Sequence, residues 1–104
     1  MTTEKQVYEA VCHLYRSVGC EVYRFSQARA SQQTPGIPDL LVYMLRQPRV
    51  AFFHEVKTPK GRPSLAQERH KALADMCGIH VVVGGVAEAV AYLQSLDVRI
   101  GATA

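Results

Sequence analysis

Apolar residues recur at three- and four-residue intervals through Val7, Ala10, Val11, Leu14 and Val18, which predicts an amphipathic helix over residues 4–18 with one face in a core. Gly19 ends that helix, and residues 20–25 alternate as a first strand. Two β-rich apolar runs, 40–45 and 50–56, are joined by Arg46-Gln47-Pro48-Arg49, whose proline and polar side chains suit a turn, so the pair reads as a hairpin. Residues 26–35 are polar and Gln-rich and end in turn formers, too hydrophilic for a core; they predict a loop leading into Asp39. After Pro59-Lys60-Gly61-Arg62-Pro63, a rigid basic turn, Ser64 and Gln67 have the spacing of a capping box. The helix that follows carries an apolar stripe of Leu65, Ala72, Leu73 and Met76, expected to face the core. Gly78 is the expected C-terminal cap, 79–83 a buried β-branched strand, Gly84-Gly85 a break and 86–96 a last helix, while 97–104 carry no readable signal. The order helix, three strands, helix, strand, helix predicts an α/β fold with a central mixed sheet flanked by helices.

Folding the hairpin about Gln47 brings Asp39 opposite Glu55 or Val56, and opposed residues have Cβ atoms about 4.5–5.5 Å apart. Two carboxylates at that distance could share one ion. Side chains alternate along a strand, so Glu55 and Lys57 share a face while Val56 points away, leaving its backbone carbonyl as a further oxygen ligand. Hard oxygen donors of this kind suit Mg²⁺ or Mn²⁺. Two acids and an ammonium at one strand end are what metal-dependent phosphodiester hydrolysis needs. The bland alternative is an exposed strand end that carries Glu and Lys. Against it, apolar residues on both sides of Glu55 imply burial, where an unpaired charge is costly.

The segments Gly36-Ile37-Pro38-Asp39-Leu40-Leu41, Glu55-Val56-Lys57 and Ser64-Leu65-Ala66-Gln67 resemble the PD-(D/E)XK nuclease superfamily, and within it the VRR-NUC family. The resemblance spans residues 3–96. It implies a restriction-endonuclease-like fold, dependence on Mg²⁺ or Mn²⁺, and cleavage of branched or flapped DNA. Small stand-alone members are similar to dimeric Holliday-junction resolvases and are viral or bacterial, which implies the cytoplasm of a bacterium or of a phage-infected host. By the same resemblance Asp39, Glu55, Lys57 and Gln67 are the expected catalytic residues, and Asp39, Glu55 and Val56 the expected metal ligands. A Gln at the place of Gln67 reaches toward the metal or the attacking water; the capping box is the structural alternative for it.

The family also brings an acid from the first helix toward the metal. At 100° per residue Glu4 projects within about 60° of the centre of the first helix's apolar stripe and Glu9 to the opposite side, which favours Glu4. An acid in a first helical turn is also favourable without any ligand.

A chain of 104 residues, 48% of them hydrophobic, can bury one modest core, so residues 1–104 are expected to form one domain without a separate recognition module. The net charge of +3 is compatible with a polyanionic partner without requiring one. Its distribution is more informative, because Arg24, Arg29, Lys60, Arg62 and Arg69 flank the candidate acids and would track DNA phosphates. No apolar stretch approaches the roughly 20 residues that span a bilayer, and the polar start Met1-Thr2-Thr3-Glu4-Lys5 is unlike a signal peptide, so no membrane association is expected. The three cysteines lack C-x-x-C spacing, which favours neither a disulfide framework nor a zinc site. His54 alternates onto the face opposite Glu55 and reads as a packed structural residue, and no nucleophile elbow or glycine-rich phosphate cradle is present. A chain with one site cannot cut two opposed strands, which argues for a homodimer. The rival readings are a flap or plain-duplex nuclease and a non-catalytic nucleic-acid-binding module on the same fold.

Overall fold

The structure is a computed structural model in which residues 2–25 and 35–100 are described; Arg29 and nearly all of the polar loop before Asp39 lie outside them. The first helix, α1 (Glu4–Ser17), starts where the sequence places it. Thr3 Oγ1 accepts the Gln6 N–H at 3.1 Å and Gln6 Oε1 accepts the Thr3 N–H at 2.8 Å, a reciprocal cap that satisfies two otherwise orphaned donors. Of the predicted stripe Val11 is buried, Val7, Leu14 and Val18 are half-buried and Ala10 is exposed, while Cys12 and Tyr15, which that stripe does not include, are buried. The chain leaves the helix through Gly19 at φ +88°, a conformation that favours glycine.

Strands β1 (Cys20–Arg24), β2 (Leu40–Met44), β3 (Val50–Val56) and β4 (Val81–Gly84) form one sheet in the order β1-β2-β3-β4. The first two neighbouring pairs are antiparallel and β3 pairs with β4 in parallel. The sheet is therefore mixed, as the element order predicts. Helix α2 (Leu65–Met76) provides the crossover between β3 and β4, and α3 (Val86–Ser95) follows β4 directly.

Alternation along the strands sets the two faces. Leu40, Val42, Met44, Phe52, Val56 and Val82 form one hydrophobic cluster with Val11, Tyr15, Ala89 and Leu93 of α1 and α3. Phe52 meets Tyr15 and Tyr92 edge-on at ring-centroid distances of 5.5 and 4.7 Å. Each fully buried aliphatic or aromatic side chain here contributes about 1.5–3 kcal/mol, so this face carries the stability of the fold.

The opposite face is covered less. Helix α2 lies over its β3–β4 end, with His70 edge-on to Phe53 at 5.4 Å and Ala74 buried. The stripe expected to be its core face points the other way: Leu65, Leu73 and Met76 are 85%, 51% and 82% exposed. Ala74 lies nine residues after Leu65, about 180° around the helix, and Gln67 and His70 share its side. The helix is set by a polar side chain that must reach Glu55 and by the close approach of Gly36, where a Cβ would run into the Ala66 carbonyl. Strand β4 also begins later than expected, at Val81, leaving Ile79 and His80 exposed, and it includes Gly84. Among the described residues no helix is long and apolar enough to cross a membrane.

Candidate active site

Asp39 immediately precedes β2, and the β2–β3 register, Leu40 against His54, continues one step to set Asp39 across from Glu55. The hairpin thus joins the two acids, taking the first of the two partners that the spacing allows. Asp39 Oδ2 accepts the backbone N–H of Val56 at 2.8 Å, which ties the carboxylate to the end of β3. Pro38 before it is fully buried.

Glu55 is 4% exposed. Its Oε2 accepts a hydrogen bond from Gln67 Nε2 and lies 3.6 Å from Lys57 Nζ. Its Oε1 is buried and has no hydrogen-bond partner among the described residues, an arrangement that costs about 1–3 kcal/mol in a finished core. Burial, reinforced by the charge of Asp39, pushes the Glu55 carboxyl up to about 8, while Lys57 pulls it down. A buried acid raised by its acidic neighbour, with an acceptor that lacks a donor, matches the needs of a hard divalent cation. Carboxylate oxygens of this kind are hard donors that suit a divalent cation.

Gln67 serves both as helix cap and as partner of the acid. Its Oε1 accepts the Ser64 N–H at 2.8 Å and its own N–H donates to Ser64 Oγ at 3.1 Å, while its Nε2 reaches Glu55. One side-chain amide therefore starts α2 and orients the buried carboxylate.

Lys57, just past β3, has a side chain 16% exposed. Together with Arg62 and the Gly84-Gly85 turn it lines a cleft of about 620 Å³ that also touches Gln6 and Val7 of α1. Of the expected DNA contacts among the described residues only Arg62 lines this cleft; Lys60 and Arg69 are exposed and outside its lining. Arg24 pairs with Glu9 and sits 4.9 Å above the Tyr8 ring. Glu4 is exposed in the first turn of α1, and among the described residues no group of three or more His, Cys, Asp and Glu converges. Neither helix-borne acid thus joins Asp39 and Glu55 in this arrangement.

Sequence reasoning places His54 on the far face of β3, where it is found, but misses what it bonds. His54 is fully buried and contacts the Tyr15 hydroxyl at 2.6 Å through Nδ1 and the Gly84 carbonyl at 2.9 Å through Nε2. Tyr15 has the spacing of an ordinary stripe residue, and no spacing rule links positions so far apart.

No family model and no curated protein matches the sequence. Among solved structures, a chain described as a VRR_NUC domain superposes with a TM-score of 0.71 at 28% identity, covering 91% of this chain and 97% of that one. Fold and site together define a nuclease domain of the PD-(D/E)XK type with a restriction-endonuclease-like core. Within that class the chain is similar to the VRR-NUC domain.

Proposed function

We propose that this domain is a divalent-metal-dependent, structure-specific endodeoxyribonuclease that hydrolyses phosphodiester bonds in branched DNA, acting as a homodimeric Holliday-junction resolvase. The observation that carries the catalytic reading is the unpartnered Glu55 Oε1 beside Asp39, with Lys57 Nζ 3.6 Å from the other oxygen of the same carboxylate. Asp39, Glu55 and the Val56 carbonyl would hold Mg²⁺ or Mn²⁺, and Glu4, which stands apart from them in this arrangement, would contribute directly or through water only if the start of α1 moves toward the ion. A divalent ion so held supplies Lewis-acid activation of water and charge neutralisation at the phosphate. Lys57 orients the attacking water or stabilises the charge that develops on phosphorus. Gln67 holds Glu55 in register and positions water or substrate. The strand being cut lies along the Lys57–Arg62 cleft, and Arg24, Arg29, Lys60 and Arg69 contact flanking phosphates.

The homodimer is supported by the outward stripe of Leu65, Leu73 and Met76, three exposed apolar side chains on one face of α2 that a second copy would cover. A two-fold partner supplies the second site that symmetric cleavage of a junction needs.

The test is cleavage of labelled four-way junction, flap, single-stranded and linear duplex DNA with Mg²⁺, Mn²⁺ or EDTA, alongside Lys57→Ala. Metal-dependent cutting of the junction that the variant loses is expected. Cutting confined to flaps or plain duplex would remove the resolvase assignment, and binding without cutting under either metal would leave a non-catalytic DNA-binding module.

A further inference from the structure

We propose, on the basis of the nuclease reading above, that His54 is a positioning residue for Lys57, acting through the Gly84 carbonyl. The imidazole sits on the core face of β3 and bridges α1 to the β4–α3 junction, with Tyr15 Oη 2.6 Å from Nδ1 and the Gly84 oxygen 2.9 Å from Nε2. A carbonyl oxygen only accepts, so Nε2 carries the hydrogen and donates to Gly84. Nδ1 is then an acceptor, and the Tyr15 hydroxyl donates to it. The two contacts fix one neutral tautomer and one ring orientation.

The Gly84 oxygen also accepts the backbone N–H of Lys57 at 3.0 Å. Val56 against Gly84 is the last pair of the β3–β4 ladder, so this bond is the one that carries the chain past the strand end to Lys57. The peptide it depends on is unusual. Gly84 has φ +133°, a conformation that strains any side chain, and a Cβ there would also push against the Glu88 side chain. A carbonyl at such a junction has no neighbouring ladder bond beyond it to hold its direction. His54 provides that hold from inside the core, and Tyr15 holds His54. The Lys57 ammonium must keep its place beside Glu55, where a displacement of about 1 Å can cost on the order of 100-fold in rate.

An ordinary satisfied core histidine would affect folding alone, so the test separates catalysis from stability. His54→Leu keeps volume and removes the donor, while His54→Gln carries an amide nitrogen at the position of Nε2. On whichever DNA the wild type cuts, His54→Leu is expected to lower single-turnover kcat about tenfold or more with DNA affinity unchanged within about twofold, and His54→Gln to recover most of it. Independently of cleavage, amide hydrogen exchange at Lys57 is expected to quicken about tenfold in His54→Leu and to return toward the wild-type rate in His54→Gln.

A His54→Leu protein with lowered Tm but wild-type kcat and Lys57 exchange overturns the proposal. If the wild type cuts no DNA, the nuclease reading fails and the exchange arm alone decides whether His54 holds Lys57. Should His54→Leu not fold, Tyr15→Phe removes only the hydroxyl. It is expected to quicken Lys57 exchange in the same sense, by about threefold, and an unchanged rate overturns the proposal.

Discussion

Glu55→Gln separates the stability of this fold from its chemistry, because the carboxylate is held at a cost that the amide does not carry. In the metal-free protein burial and then the charge of Asp39 raise Glu55 from its ordinary value of 4.5 to about 8. Between those values the folded chain keeps a proton that the unfolded chain releases. The stabilisation tied to this group is therefore fully present below the ordinary value and is lost as pH rises through about 8. A tenfold change in proton affinity corresponds to about 1.4 kcal/mol, but water and neighbouring charges relax around a group as it ionises. A discounted loss of about 1–2 kcal/mol between pH 5 and pH 8.5 is expected. For a chain of this length that lowers Tm by roughly 4–15 °C.

Thermal melts in EDTA from pH 5 to pH 8.5, wild type against Glu55→Gln, measure the effect as a double difference. The subtraction matters because buried His54 is pushed down by its burial, so its contribution rises with pH and opposes that of Glu55. The His54 contribution is common to both proteins and cancels. The difference Tm(Glu55→Gln) minus Tm(wild type) should grow with pH. Saturating Mg²⁺ or Mn²⁺ should raise the wild type more at pH 8.5 than at pH 5 and leave the variant unmoved. A difference that stays flat across this range would refute the account of Glu55 as a buried acid waiting for a cation, whatever the protein does to DNA.

Gln67→Ala removes the reciprocal cap of α2 and the donor to Glu55, so melting should show a loss of about 1 kcal/mol and single-turnover cleavage should fall at least about tenfold. Arg62→Ala should weaken DNA binding while leaving saturated kcat unchanged, and a salt titration should read a slope smaller by about 0.9 for one lost phosphate contact. Met76→Glu places a charge on the outward stripe of α2; light scattering should find monomers, and junction cleavage should turn from paired cuts to single nicks. Glu4→Gln should lower cleavage more than Glu9→Gln, since Glu9 is occupied by Arg24; equal losses would remove Glu4 from the metal shell.

What the sequence makes legible and what it conceals divide by the range of the physics involved. The pairing of Asp39 with Glu55 follows from hairpin register, which a turn and a two-residue period determine locally, and it is found at the expected step. The capping box of α2 is equally local and is found, but its Gln67 also reaches Glu55, and no local rule says that one amide can satisfy both. The orientation of α2 escapes periodicity for a related reason. Its apolar stripe predicts the buried face, whereas the face turned inward is fixed by Gln67, His70 and the close approach of Gly36. The exposed stripe is the surface that the proposed dimer would cover, and periodicity within one chain carries no information about a second copy. The Tyr15–His54–Gly84 bridge joins three elements far apart in sequence and is invisible to local rules for the same reason. Hydrophobic periodicity predicts where a chain hides its apolar surface in the ordinary case, and it fails at α2, where a polar contact to the candidate site takes precedence over burial.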